Sequence, residues 1–206
     1  MNRSVYSLVL MDNVIEEIDK LAYSTNTSRS ALINGILAEY VSCTTPAKRC
    51  EEIFSRMETE LLSASALYLI ERPSNSMLAV RTQLKYKYRP TMKYTLALYG
   101  GHGETLGLFK ASLRTQSAEL EAAIAAFFSL WTSLEDAYLE EKPFSVIEPG
   151  RFTRELKQPK GSDVDTADAA ARYISAFDGA LKAYFHDGAQ AASNAFLTWF
   201  NRGEHI

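Results

Sequence analysis

Apolar and polar positions change period several times along the chain, and each change predicts an element. In Ser4–Leu10 the even positions Tyr6, Leu8 and Leu10 are bulky and apolar, the period-two pattern of a short strand with one buried face. Asp12 or Asn13 can then cap a helix, along which Val14, Ile15, Ile18, Leu21 and Ala22 share one face. Tyr23–Thr27 breaks the stripe, and Asn26 suits the left-handed position that ends a helix. Ser28 caps a second helix, striped by Leu32, Ile33, Ile36, Leu37 and Tyr40.

Beyond Thr44-Thr45-Pro46, a cap with proline at the first helical position, the pattern predicts a helix over 46–72, with Cys50, Phe54, Met57, Leu61, Ala64 and Tyr68 in alternating steps of four and three. Residues 77–114 return to period two. Leu78, Val80, Thr82, Leu84, Tyr86 and Tyr88 alternate with Arg81, Gln83, Lys85, Lys87 and Arg89, which reads as a long half-buried strand with a cationic face. Two further strands, 92–99 and 105–113, join through Gly100-Gly101-His102-Gly103 into a short antiparallel meander. Helices are expected over 116–142 (Leu120, Ile124, Phe127, Trp131, Leu134, Tyr138), 163–187 (Ile174, Phe177, Leu181, Phe185) and 189–202 (Phe196, Trp199, Phe200), with 143–161 as a proline-containing connection.

One strand and two short helices cannot enclose a core, so residues 1–44 need a partner to cover their apolar face. The economical solution is a two-fold homodimer with the strands paired antiparallel. The run Val5–Leu10, the helix Val14–Ala22 and the stretch Thr27-Ser28-Arg29-Ser30-Ala31-Leu32-Ile33 resemble the ribbon-helix-helix family of the MetJ/Arc type, over residues 3–42 only. The expected fold is therefore α+β and mainly helical, with an N-terminal ribbon-helix-helix dimerisation unit (1–44) followed by a larger helical domain (45–206) holding a short antiparallel sheet.

The resemblance implies a sequence-specific regulator of transcription, a repressor in the simplest case, with double-stranded DNA and a second copy of itself as partners. In such proteins the outward side chains of the paired strands enter the major groove. The register that makes Tyr6, Leu8 and Leu10 core assigns the base contacts to Arg3, Val5, Ser7 and Val9. The family also anchors phosphate at the start of the second helix, here Ser28, Arg29 and Ser30. Two of the four base-reading positions are valines, able to touch only a thymine methyl, so the unit is expected to hold DNA weakly by itself.

Charge changes this picture further. The formal net charge is −3, but residues 1–42 carry −2, residues 43–115 carry +5 and residues 116–206 carry −6. An acidic headpiece is unusual for a module that approaches a polyanion. A secondary basic surface is therefore expected at Arg81, Lys85, Lys87, Arg89, Lys93, Lys110 and Arg114, with Tyr86, Tyr88, Tyr94 and Tyr99 interleaved. That surface could meet nucleic acid, or it could be a solvated face or an acidic-partner face, the acidic helices after 116 being one such partner.

The remaining chemistry is sparse. Cys43 and Cys50 read as free thiols, the histidines His102, His186 and His205 lack metal-ligand spacing, and the glycine loop lacks the Lys-Ser/Thr of a phosphate-binding loop. No catalytic set, metal or cofactor is expected, and Phe127, Trp131 and Tyr138 read as core before they read as a ligand pocket. The absence of a membrane span or leader predicts a cytoplasmic, nucleoid-associated protein. Two other functions fit the same residues: an accessory DNA-organising protein of a plasmid or phage, in partition or conjugation, and an antitoxin-like module whose C-terminal domain binds a protein partner.

Overall fold

The computed structural model describes residues 5–41, 43–64, 67–101, 103–203 and 205–206, divided into two compact units, Met1–Lys48 and Arg49–Ile206. The first unit contains α1 (Asp12–Ser24) and α2 (Arg29–Tyr40). Asn26 ends the first helical stretch with φ of 49°, and the Thr27 amide closes the turn on the Ala22 carbonyl at 2.9 Å. Ser28 caps α2, its hydroxyl accepting from the Ala31 amide.

Residues 5–10 form no strand, and the first strand of the described chain begins at Tyr68, after three helices. The expected N-terminal ribbon-helix-helix fold is thus corrected. The period-two pattern is present, but a strand exists only where its amides and carbonyls meet a neighbour, and residues 5–10 pair with no strand among the described residues. Tyr6, Leu8 and Leu10, expected in a core, are exposed.

The second unit departs from expectation as well, since its sheet is neither short nor confined to residues 77–114. Helix α3 (Pro46–Ala64) leads into β1 (Tyr68–Ser74), β2 (Met77–Gln83), β3 (Thr91–Leu98) and β4 (Thr105–Ser112). After α4 (Ala118–Tyr138), the hairpin of β5 (Ser145–Glu148) and β6 (Arg151–Lys157) lays β6 against β4. The result is a six-stranded antiparallel sheet in the order β1-β2-β3-β4-β6-β5. The helix expected to reach residue 72 stops at 64, and the expected connection 143–161 holds a hairpin turning at Pro149-Gly150, where Gly150 takes φ of 64°.

Helices α5 (Asp163–Asp187) and α6 (Ala189–Phe200) complete the unit. Ser162 opens α5 with a reciprocal cap in which its hydroxyl serves the Asp165 amide and the Asp165 carboxylate serves the Ser162 amide. Alanines at 167, 169, 170, 171 and 180, all buried, let α5 lie close to its neighbours, while Phe177 fills the centre of the core. Its ring lies 5.1 Å from Phe109 and 5.5 Å from Phe152 on the sheet, and 5.2 Å from Phe127 and 5.0 Å from Trp131 on α4. Both rings on the sheet belong to one face, the inner one.

Gly107 stands opposite Leu98 in β3, and a Cβ there would lie 2.0 Å from the Ala97 carbonyl oxygen. Backbone is what it would strike, so neither strand can yield cheaply. Gly107→Ala is expected to lower stability by about 3 kcal/mol in urea unfolding. Gly179→Ala, in α5 with open space around it, is expected to raise stability by about 0.5–1 kcal/mol.

Candidate nucleic-acid interface

Two regions carry the residues expected to meet nucleic acid. In the first unit Arg3 lies outside the described residues, while Val5, Ser7 and Val9 sit on exposed chain without regular secondary structure before α1. Ser28, Arg29 and Ser30 come together at the start of α2, all exposed. The Ala31 amide is taken by the Ser28 hydroxyl and the Leu32 amide by the Ser28 carbonyl. This leaves the amides of Arg29 and Ser30, the first two of the helix, directed outward at its positive end. Asp19 of α1 binds the Arg29 guanidinium, a pairing that sequence spacing did not indicate. Arg29 is exposed and Asp19 half-buried in this pair, so Asp19 competes with any other anion for the guanidinium.

In the second unit the basic set divides by position. Arg81 on β2, Lys93 on β3 and Lys110 on β4 project from the outer face of the sheet, opposite the aromatic core. The register sets Arg81 opposite Lys93, Lys93 opposite Ser112, and Ser112 opposite Arg151. Lys85, Lys87 and Arg89 do not continue that face. The ladder ends at Gln83 and the chain reverses, with the Leu84 amide bonded to the Pro90 carbonyl at 3.0 Å and the Arg89 amide to the Tyr86 carbonyl at 2.9 Å. Arg114 follows the end of β4. Of the interleaved tyrosines, Tyr94 is core, Tyr86 packs edge-on against Phe185, and Tyr88 and Tyr99 are exposed.

The basic middle and acidic end of the chain do meet, but through other residues. Arg49 of α3, 3% exposed, bonds Asp163 at 2.7 Å, Gln158 at 3.1 Å and the Gly101 carbonyl. Arg56 grips Asp168 through two nitrogens at 2.7 and 3.1 Å. Both pairs tie α3 to the start of α5. The seven cations expected to form the basic surface have no ion pair among the described residues.

Inside the second unit lies one charged pair that the sequence did not reveal. Arg154 Nε is 2.8 Å from Glu135 Oε1, with both side chains almost wholly buried, and the guanidinium stacks 4.5 Å from the Tyr173 ring centroid. Burial pushes the Glu135 carboxyl up to about 7, against the opposing pull of Arg154. This pair faces packed side chains, and its place is in the core. Phe127 and Trp131 are likewise core, and Tyr138 lies half-exposed against Phe196 and Phe200.

Cys43 is exposed, and Cys50 is buried with its thiol pushed up by burial. Among the described residues no cluster of His, Cys, Asp or Glu could hold a metal ion, and no helix is long and apolar enough to cross a membrane. No protein-family model, curated protein or solved structure matches the chain.

Proposed function

We propose that the chain is a sequence-specific DNA-binding regulator, a repressor in its simplest form, acting in the cytoplasm as a homodimer built on the first unit. The observation that carries this reading is that Ala22 is the one buried apolar side chain among that unit's described residues, while Ile15, Leu21, Ile36, Leu37 and Tyr40 are exposed. Two helices that leave this much apolar surface in water lack the burial a small unit needs, and a second copy supplies it with the fewest assumptions. The open amides of Arg29 and Ser30 then offer each protomer a phosphate anchor.

The test is binding of the intact protein to the DNA upstream of its own coding sequence, alongside its mass in solution by light scattering. A dimer is expected, and Arg29→Glu should weaken DNA binding about tenfold by removing a phosphate contact and adding a repulsion. Unchanged affinity would remove the anchor from the reading. A monomer at the concentrations that occupy DNA would remove the dimer.

A further inference from the structure

The outer sheet face carries a cost that the fold itself does not explain. Arg81 and Lys93 are direct cross-strand partners, their backbones about 4.8 Å apart, and like charges so placed destabilise a sheet. No carboxylate among the described residues pairs with either. Lys110 stands one strand over and two residues along, opposite Thr95 and Thr153. The side chains between these cations are small or hydroxylic: Ala79, Thr95, Ser112 and Thr153.

The reversal between β2 and β3 closes this face at one end. Tyr88 and Arg89 take φ of 63° and 45°, a left-handed conformation that side chains other than Gly, Asn and Asp adopt at a cost. Backbone bonds across the reversal and the seating of Tyr86 on Phe185 hold it in place. The strained geometry presents Tyr88 to solvent at 90% exposure, with Lys87 Nζ 5.4 Å from its ring centroid and the exposed Lys85 and Arg89 beside it.

We propose that this face and the reversal at its end bind the phosphate backbone of duplex nucleic acid, as a second site separate from the contacts assigned to the first unit. The excess of cations on β2, β3 and β4, with hydroxyls between them, matches what phosphate oxygens accept; the carboxylates of the same face lie towards β5 and β6, Glu148 paired with Arg151 and Glu155 opposite Leu108. A protein partner fits less well, because protein interfaces are centred on apolar and aromatic side chains and are depleted in lysine, whereas the bulky groups of the cationic rows, Tyr68 beside Arg81 and Val146 beside Thr153, stand at the edges of the sheet with the cations between them. Single strands fit less well too, since they need aromatic platforms for successive bases and Tyr88 offers only one ring. The proposal extends the DNA-binding reading without depending on which residues of the first unit touch DNA.

The experiment compares the wild type, Arg29→Glu, and a quadruple variant (Lys87→Gln, Arg89→Gln, Lys93→Gln, Lys110→Gln) as full chains. Each is titrated with a mixed-sequence DNA duplex across a potassium chloride series and read by fluorescence anisotropy, with near-UV circular dichroism verifying the fold. The quadruple variant is expected to bind on the order of 100-fold more weakly at physiological salt, and its log–log salt slope to flatten by roughly 3 to 4. A slope equal to that of the wild type overturns the second site while leaving the regulator reading to the Arg29→Glu result. If the quadruple variant loses the slope and Arg29→Glu changes nothing, the second site stands and the anchor in the first unit falls. Wild-type protein that ignores duplex DNA overturns both. Competition by poly-L-glutamate as effective as competition by duplex overturns the assignment in favour of an acidic protein partner.

Discussion

Arg154→Met is expected to lower the stability of the fold by about 3–5 kcal/mol at pH 8, because it leaves Glu135 in the core without its counter-ion, where the carboxyl must either stay charged and unpaired or take up a proton from alkaline solvent. The pair is 2.8 Å apart, and its members are 1% and 0% exposed, so neither charge can turn to water when the other is removed. Two charges taken out of water need not stabilise a fold relative to apolar residues of similar size, however, and the double variant Arg154→Met/Glu135→Leu should recover most of the loss. Urea unfolding of the wild type, both single variants and the double variant measures the coupling. A double variant as unstable as Arg154→Met would show that the guanidinium acts through its packing on Tyr173 and not through Glu135.

The same pair has a signature in pH. With its carboxyl pushed up to about 7 by burial, Glu135 holds a proton in the folded chain that an ordinary, unfolded carboxyl has already released. The stability contributed by that extra proton is complete below the ordinary carboxyl range and disappears as pH rises through 7. The stability difference between wild type and Glu135→Gln should therefore shift against the wild type between pH 5 and pH 8. A shift in the opposite direction would mean that the attraction of Arg154 outweighs the burial of the carboxylate.

Arg154 also explains why a third of the sheet was hidden in the sequence. In β6, Phe152, Arg154 and Leu156 face the core while Arg151, Thr153, Glu155 and Lys157 do not. The period of two is there, but its central inner position carries a charge, and a pattern of apolar alternation reads as broken at that point. Prolines at 143, 149 and 159 then favour the reading of a loop. Beyond α3 the opposite error arises, because Tyr68 continues the four-three seam of Leu61 and Ala64 and conceals the onset of β1. Helix α5 was legible over 163–187, since a capping serine, alanines and a phenylalanine stripe all agree.

The candidate interface was legible in composition and not in geometry. Alternation picked out Arg81, Lys85, Lys87 and Arg89 as one strand face, yet the ladder stops at Gln83 because two residues beyond take left-handed backbone. Neither Tyr88 nor Arg89 is a residue type that announces such a turn. Which cations face one another is a matter of register between strands, and register cannot be read from any one strand. At the N-terminus the apolar alternation of Tyr6, Leu8 and Leu10 is plain, but pattern states only which face a strand would bury. It does not supply the neighbour that makes extended chain into a strand.

Phe177→Ala is expected to cost about 3–5 kcal/mol, and Phe185→Ala, one helical stretch further along α5, much less. Phe177 is fully buried and joins the two layers of the second unit. It stacks on Phe152 at an interplanar angle of 17° and meets Trp131 edge-on at 65°, so its loss opens a cavity bounded by sheet on one side and α4 on the other. None of those neighbours can collapse into the space without giving up its own ring contacts. Phe185 is only partly buried and leans on Tyr86 of the β2–β3 reversal, where solvent fills any gap. Its removal should leave the urea midpoint nearly unchanged while loosening the reversal, read as faster amide exchange at Leu84 and Arg89, whose amides bond across it. Equal losses of stability for the two variants would show that the core does not centre on Phe177. Slow exchange retained at Leu84 in Phe185→Ala would show that the backbone bonds alone hold Tyr88 and its neighbouring cations in place.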